Sequence, residues 1–221
     1  MLVNEILNND IPPLKQTDTV ALALTKMDLM HTSQYCVIDE DNKLVGMVGL
    51  DQAIETADQE TTLDKIGLKP EIYVPQRQHV FEAVRIMLAH NLYALPVVDE
   101  SHKYVGIVEK REIIRALGDL FNLTVPGSVL TVEVDQQDFS LTDLVRIIEN
   151  EGAGILGLAI QQPQSDNPFY RVSFKVNLED SSVLSSGLRR FGYTVISEES
   201  SESFDMDFSD RADELIRYLD I

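Results

Sequence analysis

The sequence predicts a mixed α+β/α/β protein built from a β-α-β-β-α unit present twice and then a β-α-β-β-α-β unit. Three observations predict it. Thr17–Ile54 lies over Arg77–Ile114 at a constant offset of 60 residues, without a gap. Apolar spacing switches repeatedly between the helical step of three or four and the alternation of strands. After Pro126-Gly127, a turn signal, the order of elements changes.

Within the repeat, Val20 meets Val80, Ala23 meets Ala83 and Met27 meets Met87. Farther on, Val37 meets Val97, Asp39-Glu40 meets Asp99-Glu100, Val45-Gly46 meets Val105-Gly106, Val48 meets Val108 and Ile54 meets Ile114. Each copy opens on an extended piece beside proline, Pro12-Pro13-Leu14 or Ile72–Pro75. A helix follows, with Val20, Leu24, Met27 and Met30 or His31 at helical spacing, and Val80, Val84, Met87 and Leu88 in the second copy. Asp18 and Gln78 lie where these helices start, and Asp18 is a good N-cap. A β-branched strand comes next (Tyr35–Ile38; Ala94–Val98), then an acidic turn and a second strand (Leu44–Val48; Tyr104–Glu109). Asp51–Ala57 and Arg111–Phe121 close the copies as helices.

In the third unit Ser128–Asp135 alternates as a strand, and Ser140 through Asp143 reads as a variant capping box for a helix ending at Gly152. Strands at Ile155–Gln161 and Phe169–Leu178, a helix at Ser181–Phe191 stopped by Gly192, and a strand at Tyr193–Ser197 complete it. This order is the ferredoxin-like plan. The boundaries read 1–61, 62–123, a linker at 124–127, 128–198, and an acidic tail at 199–221 with a short helix over Asp210–Leu219 capped by Ser209. From Glu198 to Ile221 there are nine acidic and two basic side chains, which marks the tail as a solvated linker or as a docking segment for a protein partner.

Leu95-Pro96-Val97-Val98-Asp99 followed by Tyr104-Val105-Gly106-Ile107-Val108 resembles the CBS domain, as does Cys36–Asp39 followed by Leu44–Val48. Two tandem copies resemble a CBS pair, or Bateman module, over about Ile6 to Leu120. The third unit, with Gly152-x-Gly154 between helix and strand, resembles the ACT domain. The order CBS–CBS–ACT is similar to the acetoin-utilisation accessory proteins of bacteria.

Composition narrows the function classes. The chain has 221 residues, 44% of them hydrophobic, with 18 basic against 37 acidic side chains and a net charge of −19. So acidic a chain is repelled by nucleic-acid phosphates and by anionic membranes, so neither is an expected partner. The lone Cys36 excludes an intrachain disulfide and reads as a small buried hydrophobe. No signal segment or membrane-length apolar run is read from the sequence, so a cytoplasmic protein is expected. His31, His79, His90 and His102 are dispersed, and no phosphate loop, nucleophile elbow or metal motif occurs, so no enzyme and no required cofactor are expected.

The CBS resemblance implies an adenosine-type ligand (AMP, ADP, ATP or a cyclic dinucleotide) between the copies, at a Gly-x-x-Thr/Ser-x-x-Asp/Asn motif. There a carboxylate accepts from the ribose hydroxyls, and a hydroxyl with helix-start N–H groups holds phosphate. This chain departs from the motif. The first copy has Gly46, Gly49 and Gln52; the second has Gly106, Glu109 and Glu112, with Lys110 and Arg111 between. Glu109 repels a phosphate unless Lys110 or Arg111 offsets it. The candidate ligand residues are therefore Pro96, Gly106, Glu109, Lys110, Arg111 and Glu112, with Gly46 and Gln52 in the weaker first copy. The ACT resemblance implies an amino-acid site after the unit's first strand, where Asp135 is the candidate but the customary glycine is missing. The expected role is non-catalytic and regulatory, in a homodimer. The alternatives are an interaction module with decayed pockets, or amino-acid sensing through the third unit.

Overall fold

The computed structural model describes residues 1–199. The helix expected at Asp210–Leu219, its cap Ser209 and the rest of the acidic tail lie outside the described residues. The chain divides into two compact units between Leu117 and Gly118.

The first unit holds both repeat copies. Its elements are β1 (Leu14–Lys15), α1 (Val20–Leu29), β2 (Gln34–Ile38), β3 (Leu44–Gly49) and α2 (Leu50–Glu55), then β4 (Val74–Pro75), α3 (Val80–His90), β5 (Ala94–Val98), β6 (Tyr104–Glu109) and α4 (Lys110–Leu120). Each copy forms a three-stranded sheet, β1-β2-β3 or β4-β5-β6. In both, the short first strand runs parallel to the middle strand and the hairpin is antiparallel. The two hairpin turns are built alike. Asp39 Oδ1 accepts from the N–H groups of Asp41 and Lys43, and Asp99 Oδ1 accepts from those of Ser101 and Lys103.

The caps differ from the sequence reading by one position. Thr19 caps α1, its hydroxyl accepting from Leu22 N–H, and His79 Nδ1 accepts from Phe81 N–H at the start of α3. Asp18 instead closes the preceding turn by accepting from Lys15 N–H. A cap must hold extended backbone immediately before the first helical residue, and Thr19 and His79 occupy that position. Val20, Ala23 and Met27 are buried, as are Val80, Ala83 and Met87. Leu88 was expected among them and is 73% exposed, because the residue after Met87 points about 100° around the helix, away from the sheet.

The repeat reaches farther than the sequence comparison showed. Single 3-10 turns occupy Val3–Glu5 and Leu63–Lys65, again 60 residues apart. Each turn begins a strap that binds the other copy. The N–H groups of Val3 and Asn4 donate to Gln78 and Gln76 carbonyls of the second copy, and those of Leu63 and Asp64 donate to Asp18 and Gln16 of the first. Asn8 then exchanges both backbone hydrogen bonds with Ile107, and Lys69 does the same with Met47. Glycine permits this approach. A Cβ on Gly106 would stand 2.6 Å from the Asn8 carbonyl oxygen, and one on Gly46 would stand 2.8 Å from that of Lys69.

The second unit has β7 (Ser128–Val134), α5 (Leu141–Asn150), β8 (Ile155–Gln161), β9 (Tyr170–Val176), α6 (Ser182–Arg190) and β10 (Thr194–Glu199). The sheet is wholly antiparallel, in the order β10-β7-β9-β8. This is the ferredoxin-like arrangement read from the element order. Val172, Phe174 and Val176 share one buried face with Leu130 and Val132, against Leu144, Ile148, Leu184 and Leu188 from the helices. Ser140 caps α5 through Asp143 N–H, but the Asp143 carboxylate binds Arg146 at 2.9 Å, so only half of the capping box forms. Gly152 and Gly192 follow their helices with φ of +84° and +89°, the left-handed stop expected of glycine there.

Two stability outcomes follow from this packing. Gly106→Ala must displace the strap and is expected to cost roughly 2–3 kcal/mol in urea unfolding. Phe174→Ala empties the centre of the second unit and is expected to cost roughly 3–5 kcal/mol.

Candidate functional site

Inside the first unit, a cleft of about 420 Å³, its mouth included, opens between the repeat copies. Its walls include three repeat-related pairs, Gln34 with Ala94, Cys36 with Pro96, and Met47 with Ile107. A cavity that touches both members of each pair lies across the pseudo-twofold relation of the copies. Ile11, Met30, Thr32, Tyr35 and Glu109 complete it without their repeat mates and make it asymmetric.

The strands place these groups. Met47 and Ile107 are the residues after Gly46 and Gly106, at the points where the straps pair with β3 and β6. Cys36 and Pro96 are cross-strand partners of Met47 and Ile107. Thr32 is held by its hydroxyl, which donates to the Gln34 carbonyl. Tyr104 holds the lining residue Ile11 by donating to its carbonyl at 2.8 Å. Glu109 ends β6, and its Oε2 accepts from the Asn8 amide at 3.2 Å. Among the described residues no cationic side chain pairs with Glu109. The cleft combines mostly apolar walls with the polar side chains of Thr32, Gln34 and Tyr35 and one carboxylate, able to sandwich a flat ring and accept hydrogen bonds from hydroxyl or amino groups.

Of the residues singled out in the sequence, Pro96 and Glu109 line this cleft. Gly106 and Gly46 lie beneath the straps. Lys110 turns its ammonium over the Tyr93 ring, 4.4 Å from the centroid. Arg111 and Arg115 both bind the Glu112 carboxylate, at 3.0 and 3.4 Å. Gln52 bridges its own helix start to the strap, accepting from Gly49 N–H and donating to the Gly67 carbonyl. At Gly49, the repeat mate of Glu109, the ammonium of Lys69 reaches in from the strap, held 3.0 Å from Asp51. That interaction keeps the exposed Asp51 carboxyl below its usual range. In the second unit, Asp135 is exposed and spends Oδ1 on Gln137 N–H in its own turn.

Asn8, Met30, Met47 and Lys69 were missed in the sequence. The available signal was divergence within the repeat. Val20/Val80, Ala23/Ala83 and Met27/Met87, identical in both copies, are buried beneath the sheets, whereas Gln34/Ala94, Cys36/Pro96, Met47/Ile107 and Gly49/Glu109 differ, and these face the cleft or its edge.

The family match agrees with this architecture. The CBS domain matches residues 3–58 and again 64–119, half of the chain. The chain belongs to the CBS domain family. Among curated relatives, the homoserine O-acetyltransferase of Methanosarcina acetivorans is 30% identical over 119 residues, 53% of this chain and 22% of that protein. The inosine-5'-monophosphate dehydrogenase of Methanocaldococcus jannaschii is 25% identical over 112 residues, 51% of this chain and 23% of that protein. The chain thus spans less than a quarter of these relatives. A CBS domain pair/ACT domain protein from Thermotoga maritima aligns with a TM-score of 0.48 and 26% identity, covering 53% of this chain and 96% of that one. Among the described residues no helix is long and apolar enough to cross a membrane, and no group of three or more His, Cys, Asp or Glu is arranged to hold a metal ion.

The floor of the cleft also carries a pH dependence. Burial pushes the Cys36 thiol up to about 12, and burial together with the Cys36 charge pushes Tyr35 to about 12. Tyr104 rises further for the same reasons. Each folded pKa exceeds the unfolded one, so this stabilisation is whole below pH 9 and fades as pH climbs toward 12. Thermal unfolding between pH 7 and 11 is expected to show a falling midpoint above about pH 9, with a shallower slope in Cys36→Ala.

Proposed function

We propose that this CBS pair is a regulatory sensor of a small adenosine-type ligand, bound in the cleft between its repeat copies. The observation that carries the reading is that cleft itself. It spans the relation between the copies, presents flat apolar walls from Pro96, Ile107, Met47 and Met30, and sets one carboxylate at its edge. A purine ring fits the walls by chemistry, and ribose hydroxyls can donate to Glu109. A ligand seated across both copies regulates by favouring one packing of the pair over another. The proposed role is regulatory rather than catalytic.

The acetoin-utilisation lineage and the ACT identity of the second unit belong to this proposal. Amino-acid sensing at Asp135 is its weaker branch, since that carboxylate is exposed and half engaged in its own turn.

One observation favours an interaction role beside sensing. Ile54 and Ile114, identical in the two copies, are 65% and 67% exposed on α2 and α4. An apolar residue kept outward in both copies suits a second chain, and homodimerisation is part of the proposal.

Calorimetric titration with adenosine, AMP, ATP and S-adenosylmethionine tests the sensor. Binding of at least one below about 1 mM is expected. Ala94→Phe, which fills the cleft, should abolish that heat while circular dichroism stays unchanged. Silence from every ligand, or undiminished binding by a folded Ala94→Phe protein, would sink the proposal. In sedimentation velocity, Ile54→Glu with Ile114→Glu is expected to yield a smaller species than the parent; equal sedimentation removes the dimer assignment.

A further inference from the structure

We infer that the cleft sorts its ligands by charge, taking neutral or positively charged nucleosides, such as adenosine or a sulfonium derivative, and turning phosphorylated nucleotides away. This inference rests on the sensor reading above and names the ligand class of the same site. Glu109 is the residue that decides it.

Four contacts support the assignment. Among the described residues Glu109 is the only charged one in the cleft wall. Its position is fixed by the Asn8 amide, which donates to it at 3.2 Å but brings no positive charge. The two cations next in the chain are engaged elsewhere. Lys110 sits over Tyr93, and Arg111 is bound to Glu112, which also holds Arg115. The compensation that the sequence left open for a phosphate at this place is therefore not made.

The repeat provides an internal contrast. The mate of Glu109 is Gly49, which has no side chain, and there the strap reaches over with the Lys69 ammonium. Asn8 and Lys69 hold equivalent strap positions, each exchanging two backbone hydrogen bonds with the residue after a repeat glycine. One half of the pair thus presents a carboxylate with only an amide donor beside it, and the other presents an ammonium already paired with the Asp51 carboxylate at 3.0 Å. Like charges a few ångström apart in a half-buried site repel strongly, so a phosphate beside Glu109 is disfavoured while a hydroxyl or a cation is welcome.

The test compares adenosine, S-adenosylmethionine and AMP by calorimetric titration of the full chain and of Glu109→Gln. Glutamine keeps the length and an oxygen for the Asn8 amide, so the strap stays in place. In the parent, AMP is expected to bind at least about tenfold more weakly than adenosine, and Glu109→Gln should narrow that ratio by about tenfold. S-adenosylmethionine should lose affinity in the same variant. The change in the ratio is decisive, because Glu109 lines this cleft. If adenosine binds but the adenosine-to-AMP ratio is the same in both proteins, charge sorting is wrong and the sensor reading survives. If none of the three binds either protein, charge sorting falls, and the sensor reading falls with it when ATP is silent too.

Discussion

The first unit depends on two close backbone approaches. Asn8 pairs with Ile107 beside Gly106, and Lys69 pairs with Met47 beside Gly46. A side chain at either glycine would meet a carbonyl oxygen well inside contact distance. Because each strap is bound by the copy that does not follow it, neither copy completes its hydrogen bonding alone. Two short sheets, each with a first strand of only two residues, become one unit through this exchange.

The same exchange sets the chemistry of the cleft. Met47 and Ile107 are held on both sides, by the strand and by the strap. The straps also deliver the polar groups, the Asn8 amide to Glu109 and the Lys69 ammonium to Gly49. A duplicated scaffold thereby acquires two unequal halves. They differ at Cys36/Pro96 and Met47/Ile107, buried positions that border the cleft, whereas Val20/Val80, Ala23/Ala83 and Met27/Met87 fill equivalent space beneath the two sheets.

The second unit follows simpler rules. Alternation along β7 and β9 sends Leu130, Val132, Val172, Phe174 and Val176 to one face, and two amphipathic helices cover it. Its outer face is closed by cross-strand polar pairs, with Arg171 bound to Glu133 at 2.9 Å and Thr131 to Ser173 at 2.9 Å. The loop carrying Asp135 is fastened by Phe139 stacking on Tyr170, with ring centroids 4.3 Å apart. This packing gives the unit a core of its own, and among the described residues no ion pair involves Asp135.

Element order, the 60-residue repeat and both sheet faces were legible in the sequence, because apolar period and turn chemistry are local properties. The caps at Thr19 and His79 and the outward Leu88 were displaced by one position, since a single residue of register changes which side chain faces the core. The motif positions Glu109 and Pro96 could be picked out by resemblance, whereas Asn8, Met30 and Lys69 could not, because they reach the site from segments distant in sequence. The sequence by itself determined that two copies of one unit exist and that a carboxylate replaces the hydroxyl in the second. Only the tertiary structure decided that Lys110 and Arg111 leave that carboxylate uncompensated, because the direction of a long charged side chain is set by its neighbours in space, here Tyr93 and Glu112.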